Sequence, residues 1–305
     1  MNSKNIFSSL KFIDTHTHGS FGVNFNYASY DDMKFVLKEL KKRNIVAICP
    51  TLVGDTNKNI QKQLSIFKEI REEQLNSFSK DEALILGAHL EGSFLNPEKS
   101  GIQDKNVFLE PTIENFKALV GDFIDIIKIV TIAPEKDVDL IDFLNEKNIK
   151  AQAGHTLGTS LKNVSGVTHI FNAMGSIHHR NPSIPLFALV QDEIYVEAIC
   201  DLFHLSLETI KLIFKAKPLD KILLISDSLP SSNFDKEVVF CGKKLDKFGK
   251  DSSGTIAGSN LTLDTISKNL LEKNILMIDE IKQVTFYNQI KYLNISTKEY
   301  DILNR

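Results

Sequence analysis

The chain has 305 residues, 42% of them hydrophobic and 25% charged, a balance ordinary for a globular protein with a substantial core and too apolar for a disordered one. A formal net charge of -3 supplies no field to attract nucleic acid, no basic face carries interleaved aromatics, and no run of about 18 apolar residues is present to span a membrane. Cys49, Cys200 and Cys241 form neither a disulfide framework nor a Cys-x-x-Cys pair, and the opening MNSKNIFSSLKFID lacks the apolar run of a secretory signal, so a cytoplasmic setting is expected.

From residue 12 the chain alternates short apolar runs with longer amphipathic ones, the rhythm of repeated βα units around a parallel sheet. The first run ends in His16 and His18, which face the same side of an extended strand and can address one ion. Residues 31–43 set Met33, Val36, Leu37 and Leu40 at helical spacing, a surface helix with one buried stripe. Ile45–Leu52 reads as strand two, and residues 57–76, with Ile60, Leu64, Phe67 and Ile70 inward, as the next helix. Residues 83–89 read as strand three, closely followed by Glu91. A carboxylate there is costly unless it is paired or bound to a cation, and a plain ion pair is the commoner explanation.

A short helix over 112–120 leads to strand four at 124–131, and Ala133, Pro134 and Glu135 make a turn with no evident chemistry. Strand five, 148–155, ends in His155. Strand six, 166–171, carries His169 and opens into a polar cluster of Asn172, His178, His179 and Arg180 with the makings of an anion-holding loop. Strand seven, 194–199, is followed by Asp201 and His204; a helix over 206–216, with Ser206 as its cap, precedes strand eight, 219–225, and Asp227. Residues 236–258 break the rhythm and read as a β-ribbon over the barrel mouth, and helices near 259–272, 278–292 and 297–303 close the chain.

Eight strand candidates separated mostly by helices predict an α/β fold, a (β/α)8 TIM-type barrel occupying residues 1–305 as a single domain, with its active site at the C-terminal ends of the strands. Those ends carry His16, His18, Glu91, His155, His169, His204 and Asp227. Each histidine alone is more often a satisfied or solvated side chain than a ligand. Gathered around one mouth, however, histidines with two carboxylates have few structural uses and suit a divalent metal such as Zn2+. Such an ion lowers the pKa of bound water to about 7. Asp227 is then in position to take the water's proton and return it to a leaving group, its structural alternative being the cap of a turn.

The segments FIDTHTHG, HLEGSFLNPEKSG, VTIAPE, AGHT, THIFNAMGSIHHRNP, LISDS and GTIAGSNLTLD, spread over residues 12–290, resemble the N-acetylglucosamine-6-phosphate deacetylases of the amidohydrolase superfamily. THxFNAM with the following HHR is far more specific than the HxH pair. The resemblance implies metal-dependent deacetylation of N-acetylglucosamine 6-phosphate or a close amino-sugar phosphate, with one or two divalent ions, Zn2+ or alternatively Fe2+. It assigns Glu91, His155 and His169 to the principal metal and His16 and His18 to a second ion that some members hold. It further implies Asp227 as general base and acid, Gln103 near the acetyl carbonyl, and Asn172, Ala173 and His204 against the substrate. Arg180 matches a phosphate-binding arginine that reaches the neighbouring site of a homodimer.

Two departures stand out. Ser93 replaces the proline of the HLEGP signature, a change in loop stiffness. The accessory β-sandwich of the family is expected to be missing or vestigial, because the first strand starts near residue 12 and the chain stops after STKEYDILNR. The alternatives are another amide hydrolase of the superfamily, against which the cluster from 172 to 180 argues, and a non-catalytic sugar-phosphate-binding pseudoenzyme, which would have no use for Asp227.

Overall fold

The computed structural model describes residues 10–77, 80–136 and 139–304; residues 1–9, most of the stretch read above for a targeting signal, lie outside them. Eight parallel strands follow one another in chain order around a barrel: β1 (Phe12–Thr17), β2 (Ile45–Leu52), β3 (Ala88–Phe94), β4 (Ile127–Ile132), β5 (Lys150–Ala153), β6 (Gly166–Val167), β7 (Tyr195–Ala198) and β8 (Ile222–Leu224). All eight residues of β2 are buried, which is why it reads as a continuous apolar run and not as an alternation.

The barrel closes beyond β8. Thr17 and Ser228 form a parallel bridge, the Asp227 N–H donates to the His16 carbonyl at 2.9 Å, and the His18 N–H donates to the Ser228 carbonyl at 2.8 Å. Asp14, buried in β1, accepts from the Ser226 hydroxyl at 2.5 Å and its N–H at 3.2 Å. Burial raises the Asp14 carboxyl to about 7 in spite of those donors. Closure thus fixes His16, His18 and Asp227 against one another.

Helices form where the apolar stripes place them. Ser29 and Asp32 make a capping box at the start of α1 (Tyr30–Lys42), which buries Met33, Val36, Leu37 and Leu40. Ile60, Leu64, Phe67 and Ile70 are the inward face of α2 (Asn57–Ser77). A further helix, α3 (Asp139–Glu146), which the sequence reading did not identify, joins β4 to β5, and Ser206 caps α4 (Leu207–Ala216) through the Thr209 N–H. No described helix is long and apolar enough to cross a membrane.

Several expected boundaries move. Strand three lies at β3 and not over 83–89, where Leu84–Ile85 is a separate short strand against β2; Glu91 is therefore inside a strand and not beyond its end. The break falls at Gly87, whose φ of 148° suits glycine, and further along Gly92 lies so close to the segment after β2 that a Cβ there would meet the Gly54 nitrogen at 1.9 Å. Strand four begins at Ile127, after a 3-10 turn, and strands five and six shorten to β5 and β6 with no helix between them. The predicted helix over 278–292 is interrupted by a π turn, Gln283–Tyr287, ahead of α5 (Asn288–Leu293). In this region Asn288 donates to the carbonyls of Leu219 and Ile222 and Gln289 to that of Leu224, sealing the lower end of β8.

Outside the barrel sheet, the described residues form two antiparallel pairs. One joins Gly19–Ser20 to Val23–Asn24; the other, Val238–Phe240 with Lys243–Leu245, is the expected ribbon. Phe240 carries the ribbon onto the site, its ring centroid 5.4 Å from that of His18.

Candidate active site

Glu91 projects from β3, while His155, His169 and Asp227 follow the ends of β5, β6 and β8 with φ values of 46°, 29° and 52°. Left-handed backbone at non-glycine residues costs on the order of 1–3 kcal/mol each, and such positions concentrate at functional sites. Here the turns deliver three side chains to one place. Glu91 Oε1 lies 3.0 Å from His155 Nε2 and 2.7 Å from His169 Nε2, and the two nitrogens are 3.1 Å apart. Glu91 Oε2 lies 3.1 Å from His18 Nε2 and 3.6 Å from His16 Nε2; Asp227 Oδ1 is 3.2 Å and 3.4 Å from the same atoms.

These donors fit a divalent cation. His155 Nδ1 is 2.7 Å from the Lys99 carbonyl, which only accepts, so Nδ1 carries a proton and Nε2 is the atom that can offer a lone pair to an ion beside Glu91. Two buried carboxylates side by side, with Asp227 Oδ1 lacking a hydrogen-bond partner, call for positive charge, which protons on the imidazoles or a cation can supply. With bonds of 2.0–2.2 Å, neighbouring donors of a tetrahedral zinc site stand roughly 3.3 Å apart, close to the spacings found. Glu91, His155 and His169 form one such group, and His16, His18 and Glu91 a second.

Burial disfavours charge on Glu91, but the nearby charge of His16 and the hydrogen bond and charge of His155 hold its carboxyl well below the usual range. Asp227 is also lowered: burial opposes this, and His16 and His18 outweigh it. Burial equally resists a proton on His16, yet Glu91, Asp227 and Glu197 raise its pKa well above the ordinary histidine value. Imidazole protons and a divalent ion therefore answer the same demand, and metal uptake at this site releases protons.

A cavity of about 400 Å³ opens beside these groups. Its wall includes His18, Glu91, His155, His169 and Asp227, together with Gln103, Asn172, Ala173 and His204; His16 lies deeper, without exposure. Gln103 accepts from the Gly54 N–H at 3.1 Å and donates to the Glu91 carbonyl at 3.0 Å. Asn172 donates to the His169 carbonyl at 3.2 Å, and His204 Nδ1 stands 2.8 Å from Asp201 Oδ2. Arg180 is absent from the wall: it sits on an exposed loop, its backbone N–H donating to His178 Nδ1 at 3.2 Å.

Sequence reading missed two contributors. The turn at Glu135 was read as chemically idle, yet its carboxylate accepts from the Asn96 amide at 2.8 Å, the Leu157 N–H at 2.9 Å and the Thr156 hydroxyl, pinning the loop that carries His155. Glu135→Ala is expected to strand those donors and cost about 1–3 kcal/mol, read as a lower thermal midpoint by calorimetry; an unchanged midpoint would remove that role. The second is Glu197, a lone acid in the apolar run of β7, detectable by the same reasoning that singled out Glu91. Residues 254–258, the end of the segment expected over the barrel mouth, line the cavity.

Barrel and site define a metal-dependent hydrolase of the amidohydrolase superfamily. The chain is 32% identical over 296 residues to an N-acetylglucosamine-6-phosphate deacetylase of Bacillus subtilis (strain 168), covering 93% of this chain and 74% of that protein. An N-acetylgalactosamine-6-phosphate deacetylase of Escherichia coli O157:H7 is 26% identical, over 86% of this chain and 71% of its own length. Among solved structures, an N-acetylglucosamine-6-phosphate deacetylase from Pasteurella multocida superposes with a TM-score of 0.83 at 26% identity, covering 93% of this chain and 76% of that one. No protein-family model matches. The chain belongs to the N-acetylglucosamine-6-phosphate deacetylase family.

Proposed function

We propose that this enzyme removes the acetyl group of N-acetylglucosamine 6-phosphate, or of a close N-acetylamino-sugar phosphate, giving acetate and the free amino sugar phosphate. The observation that carries this reading is the convergence of Glu91, His155 and His169 on one point of a cavity that also holds Asp227 and Gln103. Glu91, His155 and His169 would hold the principal divalent ion, and His16 and His18, sharing Glu91, a second. When bound, such an ion polarises a carbonyl and lowers the pKa of water toward 7.

The chain's own groups then divide the proton work. Asp227, kept ionised by its lowered pKa, accepts the proton of the attacking water and returns it to the nitrogen as the C–N bond breaks. Gln103, fixed at both ends of its amide, stands against the acetyl group. Asn172, Ala173 and His204 face the sugar phosphate, with Asp201 holding the His204 ring in place. The three cysteines are free, which supports a reducing, cytoplasmic setting.

Arg180 is proposed to bind the substrate phosphate across a homodimer interface. Its exposure, away from the cavity of its own chain, supports action in trans, and its planar fork suits a phosphate better than a point charge does. Arg180→Ala should lower kcat/KM for the phosphorylated sugar far more than for its unphosphorylated analogue. Mixed with Asp227→Asn, it should regain activity, because a heterodimer assembles one intact site. A mixture no more active than its parts, in a sample shown to exchange subunits, would exclude action in trans, and equal losses on both sugars would end the phosphate assignment. Comparing kcat/KM for N-acetylglucosamine 6-phosphate, its galacto epimer and both unphosphorylated sugars tests the substrate itself. A preference for either phosphorylated sugar is expected, and indifference to phosphate would contradict the reading.

A further inference from the structure

Below the metal-binding groups the barrel interior is polar, where barrels of this kind are filled by branched aliphatic side chains. Glu197, on β7, has no exposed surface, and among the described residues its one ion-pair partner is His16, whose Nδ1 lies 3.0 Å from Oε2. Its other oxygen accepts from Gln152 Nε2 at 3.2 Å. Gln152 is held in turn by the Thr168 hydroxyl, which donates to Oε1 at 2.9 Å, and by the Tyr292 hydroxyl 3.1 Å from Nε2. Tyr292 comes from α5 and also meets the Ser165 hydroxyl at 2.9 Å. A carboxylate this deep costs several kcal/mol unless the groups around it satisfy it, and residues of β1, β5 and α5 and those flanking β6 contribute to doing so.

We propose that Glu197 is a positioning residue that acts through His16. By accepting a hydrogen bond from Nδ1–H it fixes the tautomer whose Nε2 lone pair faces Glu91 and Asp227, and it prevents the ring from turning out of the site. Glu197 does not itself belong to a further metal site with His16 and His89, although the three are close enough to be considered together. Both nitrogens of His89 are already engaged, Nδ1 with the Thr15 carbonyl at 3.1 Å and Nε2 with the Thr131 hydroxyl at 2.8 Å. The Glu197 contact to His16 also has hydrogen-bond length. Gln152 and Tyr292 complete the support, so the orientation of His16 depends on a helix near the end of the chain.

This inference rests on His16 being a metal ligand, and the test separates the two ideas. Zn2+ affinity is measured by chelator competition on the full chain, with kcat and KM for the amino-sugar phosphate, for wild type, Glu197→Leu, Glu197→Gln, His16→Ala and the two double variants. Glu197→Leu should weaken Zn2+ binding about 10–100-fold, the usual scale for the outer partner of a ligating histidine. Its kcat should fall while KM changes by less than about threefold, as expected when transition-state stabilisation is lost but substrate binding is kept. Glu197→Gln, which retains an acceptor oxygen for Nδ1–H, should lose less. Each double variant should bind Zn2+ no more weakly than His16→Ala alone, because Glu197 has nothing to position once the ring is gone.

Should Glu197→Leu fail to fold, Glu197→Gln and its double variant carry the same comparison. Wild-type Zn2+ affinity in the folded Glu197 variants, or losses that add to that of His16→Ala, would overturn the proposal. If His16→Ala itself leaves Zn2+ affinity unchanged, His16 is not a ligand and the proposal falls while the site of Glu91, His155 and His169 stands. If wild type takes up no divalent ion, the metal site falls too.

Discussion

Asp227→Asn is expected to reduce kcat by at least about a hundredfold, the scale of a lost general acid and base, with fold and principal-metal content near wild type. Asparagine matches aspartate in shape and tolerates the left-handed backbone found here, φ 52°, better than other replacements, so the turn after β8 survives. What it cannot do is accept a proton from water and hand it back. In the proposed assignment Glu91, His155 and His169 hold the principal ion without it, which separates a chemical defect from a binding one. Turnover, circular dichroism and metal content on one sample check this, and undiminished acetate release would take Asp227 out of the mechanism.

Removing a principal ligand should have a different signature. His155→Ala and His169→Ala each delete one of three protein donors, so metal affinity is expected to fall by more than the roughly 10–100-fold typical of outer-shell partners, and activity with it. His16→Ala should affect at most a second ion, because its Nε2 lies 3.6 Å from Glu91 Oε2 and outside the group formed by Glu91 Oε1 with His155 and His169. Elemental analysis after gel filtration distinguishes the cases. Equal metal loss in all three variants would mean that one shared site includes the pair at His16 and His18.

The barrel and most of its site were legible because the information is local and repeated. Continuous apolar runs mark strands buried on both faces, and polar residues that interrupt them at their ends, such as His155, His169 and Asp227, have no reason to be there unless they act together. Boundaries were less legible. The shift of strand three to Ala88–Phe94 follows a break at Gly87, φ 148°, that no periodicity reports. Glu135 escaped because its partners, Asn96, Thr156 and Leu157, are distant in sequence, whereas Glu197 was open to the reasoning applied to Glu91, and only its partners, His16 and Gln152, needed the structure. Arg180 shows the converse: motif order singles it out, while in a single chain it lies outside the cavity wall.

Acetate released from N-acetylglucosamine 6-phosphate or its galacto epimer, measured beside metal content before chelation, after it, and after Zn2+ is restored, tests the central claim most directly. Acetate and free amine should appear in equal amounts, cease when the metal is stripped and return with it. A stripped enzyme that keeps its full rate, or a metal-loaded one that releases no acetate from either sugar phosphate, would contradict a metal-dependent deacetylase built on Glu91, His155, His169 and Asp227.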